Sequence, residues 1–198
     1  MLLSKIVLTG IISIPAVWLA IRFLQFDLGA NPVETLTHIT GDWALRLLLI
    51  TLMVTPIRTV FGWTILIHYR RILGVSAFVY ALLHFVIWLW LEHEFSIAEI
   101  SKDILKRPYV SAGFTSFMIL LPLAITSTNS MMRRLGRKWK QLHRWVYVAA
   151  TAGVFHYLWL VKADWFEPVL YGVWLIVLLA WRSEYLPRQI RQFTLSTR

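Results

Sequence analysis

The sequence predicts an all-α integral membrane protein: a six-helix transmembrane bundle, read as one unit over residues 1–198, with both termini cytoplasmic. Three observations carry this. Of 198 residues, 58% are hydrophobic and 15% aromatic, and mean hydropathy is +0.64, a composition no soluble globular domain shares. Six apolar runs, at about 6–25, 43–58, 72–91, 109–126, 143–161 and 167–182, each approach the length of a spanning helix. The basic residues collect in alternate connections between these runs, as they do in proteins oriented by positive charge.

Each run has its own justification. The first follows Lys5 and resembles a signal peptide, but it continues to Leu24 without a small-x-small cleavage site and is predicted to be retained. Residues 26–42 hold Gly29, Asn31, Pro32 and Gly41 and read as an outer connection. Thr40-Gly41-Asp42 is expected to end it and cap the second helix. Residues 92–108 form the longest outer loop, with room for an interfacial helix over 96–105. Residues 127–141 form a basic inner loop. With the N-terminus inside, the inner face collects Lys5, Arg58, Arg70, Arg71, Arg133, Arg134, Arg137, Lys138, Lys140, Arg144, Arg182, Arg188, Arg191 and Arg198. The outer face keeps Arg22, Arg46, Lys102, Lys106, Arg107 and Lys162. Fourteen against six fixes the orientation, and of the acids only Glu184 falls inside.

Several function classes are excluded. With no cysteine there is no disulfide, thiol nucleophile or Cys-ligated iron–sulfur cluster. The net charge of +10 reflects topology and contact with membrane lipid, not nucleic acid. No GxGxxG or P-loop is present, nor an obvious internal repeat, so a soluble electron donor or substrate-handling domain belongs to another polypeptide.

The chemistry lies in histidines at membrane depth, where an ionisable side chain is costly and points to function. His84 lies about twelve residues into the third run and His156 about thirteen into the fifth, both roughly 18–20 Å from the inner surface. Two level imidazoles on two helices suit the axial positions of a b-type haem. The alternative is a pair of buried histidines bonded to neighbouring carbonyls. His143 sits at the inner end of the fifth run, about 20 Å along the axis from His156 and on a face roughly 140° away. The two therefore serve different sites, unless the helix unwinds near Gly153. Around His143 stand Arg70, Arg71 and Arg144, a setting for a haem propionate or a flavin phosphate. Arg46, one turn into the second run, either pairs with a propionate or snorkels outward. A histidine-lined transporter for protons or metal is the alternative function. The absence of an acid deep in any predicted helix speaks against a proton relay.

With these histidines, the segments Gly29-Ala-Asn-Pro-Val, His38-Ile-Thr-Gly, Arg70-Arg-Ile-Leu-Gly, Arg107-Pro-Tyr, Leu123-Ala-Ile-Thr-Ser-Thr, Gln141-Leu-His-Arg and His156-Tyr-Leu-Trp are informative together. The chain resembles the ferric-reductase-type transmembrane domain, and within it the MsrQ family of bacterial haem-binding membrane subunits, most clearly over 29–162. The resemblance implies haem b and FMN as cofactors. It implies electrons taken from the quinone pool or a cytosolic flavin reductase. Their acceptor would be a periplasmic molybdopterin reductase (MsrP-like) that repairs methionine sulfoxide in oxidised proteins, and the location the bacterial inner membrane. It also implies that His84 and His156 are the outer haem pair and His143 the third membrane histidine. Arg70 stands where a two-haem pattern would have an inner histidine, which favours FMN or a weakly ligated haem there.

Overall fold

The computed structural model describes the backbone of residues 2–162 and 164–196, and the side chains of these up to residue 183. The expected inner placement of Glu184, Arg188, Arg191 and Arg198 lies outside the described side chains. Among the described residues the chain is all helical. In order come α1 (Leu2–Leu24), α2 (Pro32–Phe61), a short 3-10 turn (Thr64–His68), α3 (Arg70–Ile87) with a π turn (Trp88–Glu92), α4 (Ile97–Lys106) and α5 (Pro108–Ile125). Then follow α6 (Asn129–Leu135), α7 (Arg137–Leu142), a 3-10 turn (His143–Trp145), α8 (Val146–Leu160) and α9 (Phe166–Ser196).

Among the described residues five helices are long and apolar enough to cross a membrane: Leu2–Leu24, Pro32–Phe61, Arg70–Glu92, Pro108–Ile125 and Phe166–Ser183. The fifth predicted run differs. Its first turn is 3-10, which leaves α8 with 15 residues. The helix is interrupted there and not at Gly153, which lies inside α8 with Ser116 and Leu45 against it. A Cβ at Gly153 would meet the two in ordinary van der Waals contact, at 3.4 Å and 3.6 Å.

The larger departure is α2. It begins eleven residues before the predicted start, because the Asn31 side chain caps the Glu34 N–H and Pro32 occupies the first helical position. Thr40, Gly41 and Asp42 are therefore helical and do not form a cap. Thr40 instead returns its hydroxyl to Leu36 O at 2.7 Å. At the far end Gly62, at φ 72°, supplies the left-handed residue that closes the helix onto Arg58 O.

The core lies where α2 meets α3, and where α5 meets α8 with α9 behind. Leu49, Ala77, Ala149 and Ala150 are completely buried. The small residues let backbones approach closely, the usual basis of helix association in lipid. Ser116 adds an interhelical bond to Ala149 O at 2.8 Å. By contrast α1 is mostly exposed, but it is tied to α3 near Pro15, which lacks an N–H. The Tyr80 hydroxyl donates to Ile12 O at 2.6 Å and accepts from Ala16 N at 3.2 Å.

Candidate functional site

His84 on α3 and His156 on α8 come together in the centre of the bundle. Their ring centroids are 6.2 Å apart, with planes at 78°. With metal–imidazole bonds of about 2.0–2.1 Å and a centroid roughly 1.2 Å from the bonding nitrogen, two imidazoles on opposite sides of one ion stand about 6.3–6.6 Å apart. The observed spacing is close to that. His84 Nδ1 lies 2.9 Å from Thr37 O, and His156 Nδ1 lies 2.7 Å from Tyr109 O. A carbonyl only accepts, so each Nδ1 carries the proton and each Nε2 keeps the lone pair. Hydrogen bonding of the remote nitrogen orients imidazoles that ligate metals and raises their basicity. Both sequence readings of the histidines are thus compatible: the carbonyl bonds exist, and they leave Nε2 available.

Two glycines make the room. A Cβ at Gly41 of α2 would lie 3.0 Å from His84 Nδ1; one at Gly113 of α5 would lie 2.9 Å from His156 Nδ1. In each case the accepting carbonyl lies one turn before the glycine. The two half-sites are built alike, with carbonyl and histidine 47 residues apart in both. Sequence reasoning missed these four positions. The signal was present in the spacing, each glycine standing 43 residues ahead of a histidine.

The imidazoles line a cavity of about 200 Å³. Its walls are mainly apolar, including Leu45, Leu48, Phe85, Phe114, Phe117 and Leu120, and its rim holds His38, Asp42, Glu92, Asp103, Arg107 and Tyr157. Among the described residues no cluster of three or more His, Cys, Asp or Glu side chains could hold a metal ion. Two imidazoles fill only two positions of a six-coordinate ion. The site therefore suits an ion that brings its own equatorial ligands.

The other predicted residues lie elsewhere. Arg46 is not at a helix end but fourteen residues into the longer α2, and it does not line the cavity. It bonds to the Tyr171 hydroxyl, lies 3.5 Å from Glu167 and 3.8 Å from Asp42, and sits over the Trp43 ring. Asp42, expected in a loop, is thus an acid inside a helix, paired to that guanidinium. His143 stacks on Trp139 with centroids 3.9 Å apart; its Nδ1 bonds to Trp139 O at 3.1 Å and its Nε2 lies 3.4 Å from Ser127 Oγ. Arg70 reaches Thr55 Oγ1 at 3.5 Å, Arg71 reaches Asn129 Oδ1 at 2.5 Å, and Arg144 is exposed. None of these lines the histidine cavity.

Comparison with known proteins agrees with this architecture. Residues 40–154, which include His84 and His143 and end two residues before His156, match the ferric reductase like transmembrane component family. A protein-methionine-sulfoxide reductase heme-binding subunit MsrQ of Herminiimonas arsenicoxydans is 49% identical over 164 residues, 81% of this chain and 75% of the relative. The subunit of the same name from Xanthomonas campestris pv. campestris (strain 8004) is 50% identical over 155 residues, 78% and 71% of the two chains. That of Azospira oryzae is 44% identical over 171 residues, 85% and 73%. No solved structure matches. With more than half of the chain matched by the family and about half the residues shared with these relatives over most of its length, the chain belongs to the ferric reductase-like transmembrane family and, within it, to the MsrQ subunits.

Proposed function

We propose that this chain is a membrane b-type cytochrome of a protein-methionine-sulfoxide reductase system, and that His84 and His156 hold its haem. The carrying observation is the 6.2 Å pairing of two imidazoles whose Nδ1 atoms are both committed to carbonyls. The donor set fits the group: two neutral nitrogens, an apolar wall and no competing ligand cluster among the described residues. The names of the relatives, which describe heme-binding subunits, support the same reading. When bound, haem supplies a one-electron iron couple. The protein contributes the rest. Thr37 O and Tyr109 O fix the imidazole tautomers, Gly41 and Gly113 set their depth against α2 and α5, and the apolar wall excludes water and lowers the local dielectric.

In this reading α1, α2, α3, α5, α8 and α9 cross the bacterial inner membrane, with both termini cytoplasmic. The 3-10 turn lengthens α8 to 18 residues, about 27 Å, close to one hydrocarbon thickness. Electrons enter on the inner side from the quinone pool or a cytosolic flavin reductase. They leave on the outer side to a periplasmic molybdopterin (MsrP-like) reductase. The inner group of His143, Arg70, Arg71 and Arg144 takes an anionic cofactor, FMN or a haem carboxylate, because Arg70 lies near enough to act on the His143 imidazole and Arg71 and Arg144 adjoin these two in the chain.

The first test is the absorption spectrum of the purified protein. An intense Soret band and a sharp α band on reduction are expected. Both His84→Ala and His156→Ala should lose the low-spin signal. A colourless wild-type protein, or two single variants that keep the signal, would overturn the proposal.

A further inference from the structure

The cavity that holds the paired imidazoles has an uneven rim. Three carboxylates reach it, Asp42, Glu92 and Asp103, and among the described residues that line it the only guanidinium is Arg107. A haem carries two carboxylates of its own. They are repelled by the acids and need water or a cation, and a guanidinium presents a fork that matches a carboxylate. Arg46, which the sequence offered either for this task or as a base snorkelling outward, is engaged by Asp42, Glu167 and Tyr171 and does not reach the cavity.

Arg107 is also held in place. Its Nε lies 2.9 Å from Asp103 Oδ1, its Nη1 lies 3.5 Å from Asp103 Oδ2, and the same Nη1 donates to the Tyr109 hydroxyl at 3.3 Å. Asp103 is 7% exposed although it lies on an interfacial helix. Behind it His93 Nε2 stands 3.3 Å from Asp103 Oδ2, and the His93 ring packs edge-on to Trp88 at 4.6 Å. Asp103 is thus a buried carboxylate that holds one edge of a half-exposed guanidinium, while His93 Nε2 stands near it without a hydrogen bond. The local chain explains the placement. Pro108 starts α5, Tyr109 gives its carbonyl to His156, and Arg107 is the residue just before, so one tripeptide reaches both the imidazole and the rim.

We infer that Arg107, positioned by Asp103, binds a propionate of the haem at the outer rim of the cavity and raises the reduction potential of its iron. The inference rests on the haem reading above. The sign follows from Coulomb's law: a fixed cation favours the reduced, more negative state, and its removal leaves Asp42, Glu92 and Asp103 to oppose reduction.

The test uses the purified holoprotein in lipid nanodiscs, with Arg107→Ala, Arg107→Lys and Asp103→Asn. Three quantities are read: the low-spin spectrum, the midpoint potential by spectroelectrochemistry, and the propionate bending mode by resonance Raman. In Arg107→Ala the spectrum should remain low-spin, the propionate mode should shift, and the reduction equilibrium should fall roughly tenfold, or 59 mV for one electron. Arg107→Lys should restore most of the potential and leave the propionate mode shifted, because charge returns without the fork. Asp103→Asn should perturb the propionate mode with Arg107 still present. An unchanged potential and an unchanged mode in Arg107→Ala would overturn the inference and leave the haem reading intact. If Arg107→Ala loses its haem, Arg107→Lys decides: a wild-type propionate mode there would overturn the inference equally. Absence of a low-spin spectrum in the wild type would instead strike the haem reading.

Discussion

Gly113→Ala is a sharp test of the site, because it adds one methyl group at a point where the structure leaves no space. The new Cβ would lie 2.9 Å from His156 Nδ1 and 3.1 Å from both Cε1 and Cγ. Ordinary contacts of this kind sit at about 3.5–4.0 Å, so the ring must retreat by roughly 0.6–1 Å. It cannot do so freely, since Nδ1 is bonded to Tyr109 O at 2.7 Å. Retreat breaks that bond, which costs about 0.5–1.5 kcal/mol, and turns Nε2 away from its partner. Loss of such an orienting bond typically weakens a metal site ten- to a hundredfold. The helix itself gains, because Ala is preferred over Gly by about 0.8–1 kcal/mol inside a helix. The expected outcome is a well-folded protein with α5 intact and haem affinity reduced by one to two orders of magnitude, or a low-spin signal converted to high-spin. Haem stoichiometry, the spectrum at cryogenic temperature and thermal unfolding by circular dichroism report the three parts separately. Gly10→Ala is the control, since nothing lies within 4 Å of its new methyl. A Gly113→Ala protein with wild-type haem content and a wild-type spectrum would refute the geometry.

Further predictions rest on other contacts. Gly41→Ala should act like Gly113→Ala but more mildly, since its Cβ stands 3.0 Å from His84 Nδ1 and nothing else of the ring except Cε1 is closer than 3.8 Å; the same spectra compare them. Tyr80→Phe should loosen α1 by about 1–3 kcal/mol, because Ile12 O and Ala16 N both lose a partner; protease cleavage in α1 of the protein in nanodiscs would rise while the haem spectrum stays unchanged. His143→Ala should keep the low-spin signal of the His84–His156 pair and slow reduction from the cytosolic side, as stopped-flow mixing with the reductase would show. Changing Glu92, Glu94 and Glu99 to Gln should flatten the salt dependence of reoxidation by the periplasmic partner, provided steering by the outer acids operates.

The fold class was legible because lipid imposes a simple rule, and the long apolar runs have few other uses. The level histidines were legible for a related reason: in a helix, depth is residue number times rise, and His84 and His156 share it. Other features lay beyond residue counting. Asn31 and Pro32 form a strong helix start, but Gly41, ten residues after Asn31, reads as punctuation until His84 is seen against it. Arg46 and Asp42 read as charges near a surface because α2 was begun too late. Arg107 read as one more outer base because the helix expected over 96–105 stopped short of it; α4 runs on to Lys106, and Asp103 meets Arg107 as an i,i+4 pair on its last turn. The break at His143–Trp145 has no signature in composition, since Trp139, Ser127 and the preceding carbonyls hold that segment from outside.

The two levels of the bundle are not equivalent, and the difference is chemical. At the level of His84 and His156 the halves repeat: Thr37, Gly41 and His84 on α2 and α3 have their counterparts in Tyr109, Gly113 and His156 on α5 and α8, each 72 residues later. The same offset pairs Arg71 with His143 at the inner level. There the halves diverge. Arg71 is exposed and bonded to Asn129, while His143 has Trp139 against its face, a carbonyl on Nδ1 and the Ser127 hydroxyl near Nε2. A guanidinium remains protonated at every relevant pH and has no lone pair to give a metal. Among the described residues, two imidazoles are therefore paired at one level only. At the other, the same offset puts an exposed guanidinium where the second half has a hydrogen-bonded imidazole, so the repeat of the histidine is broken there.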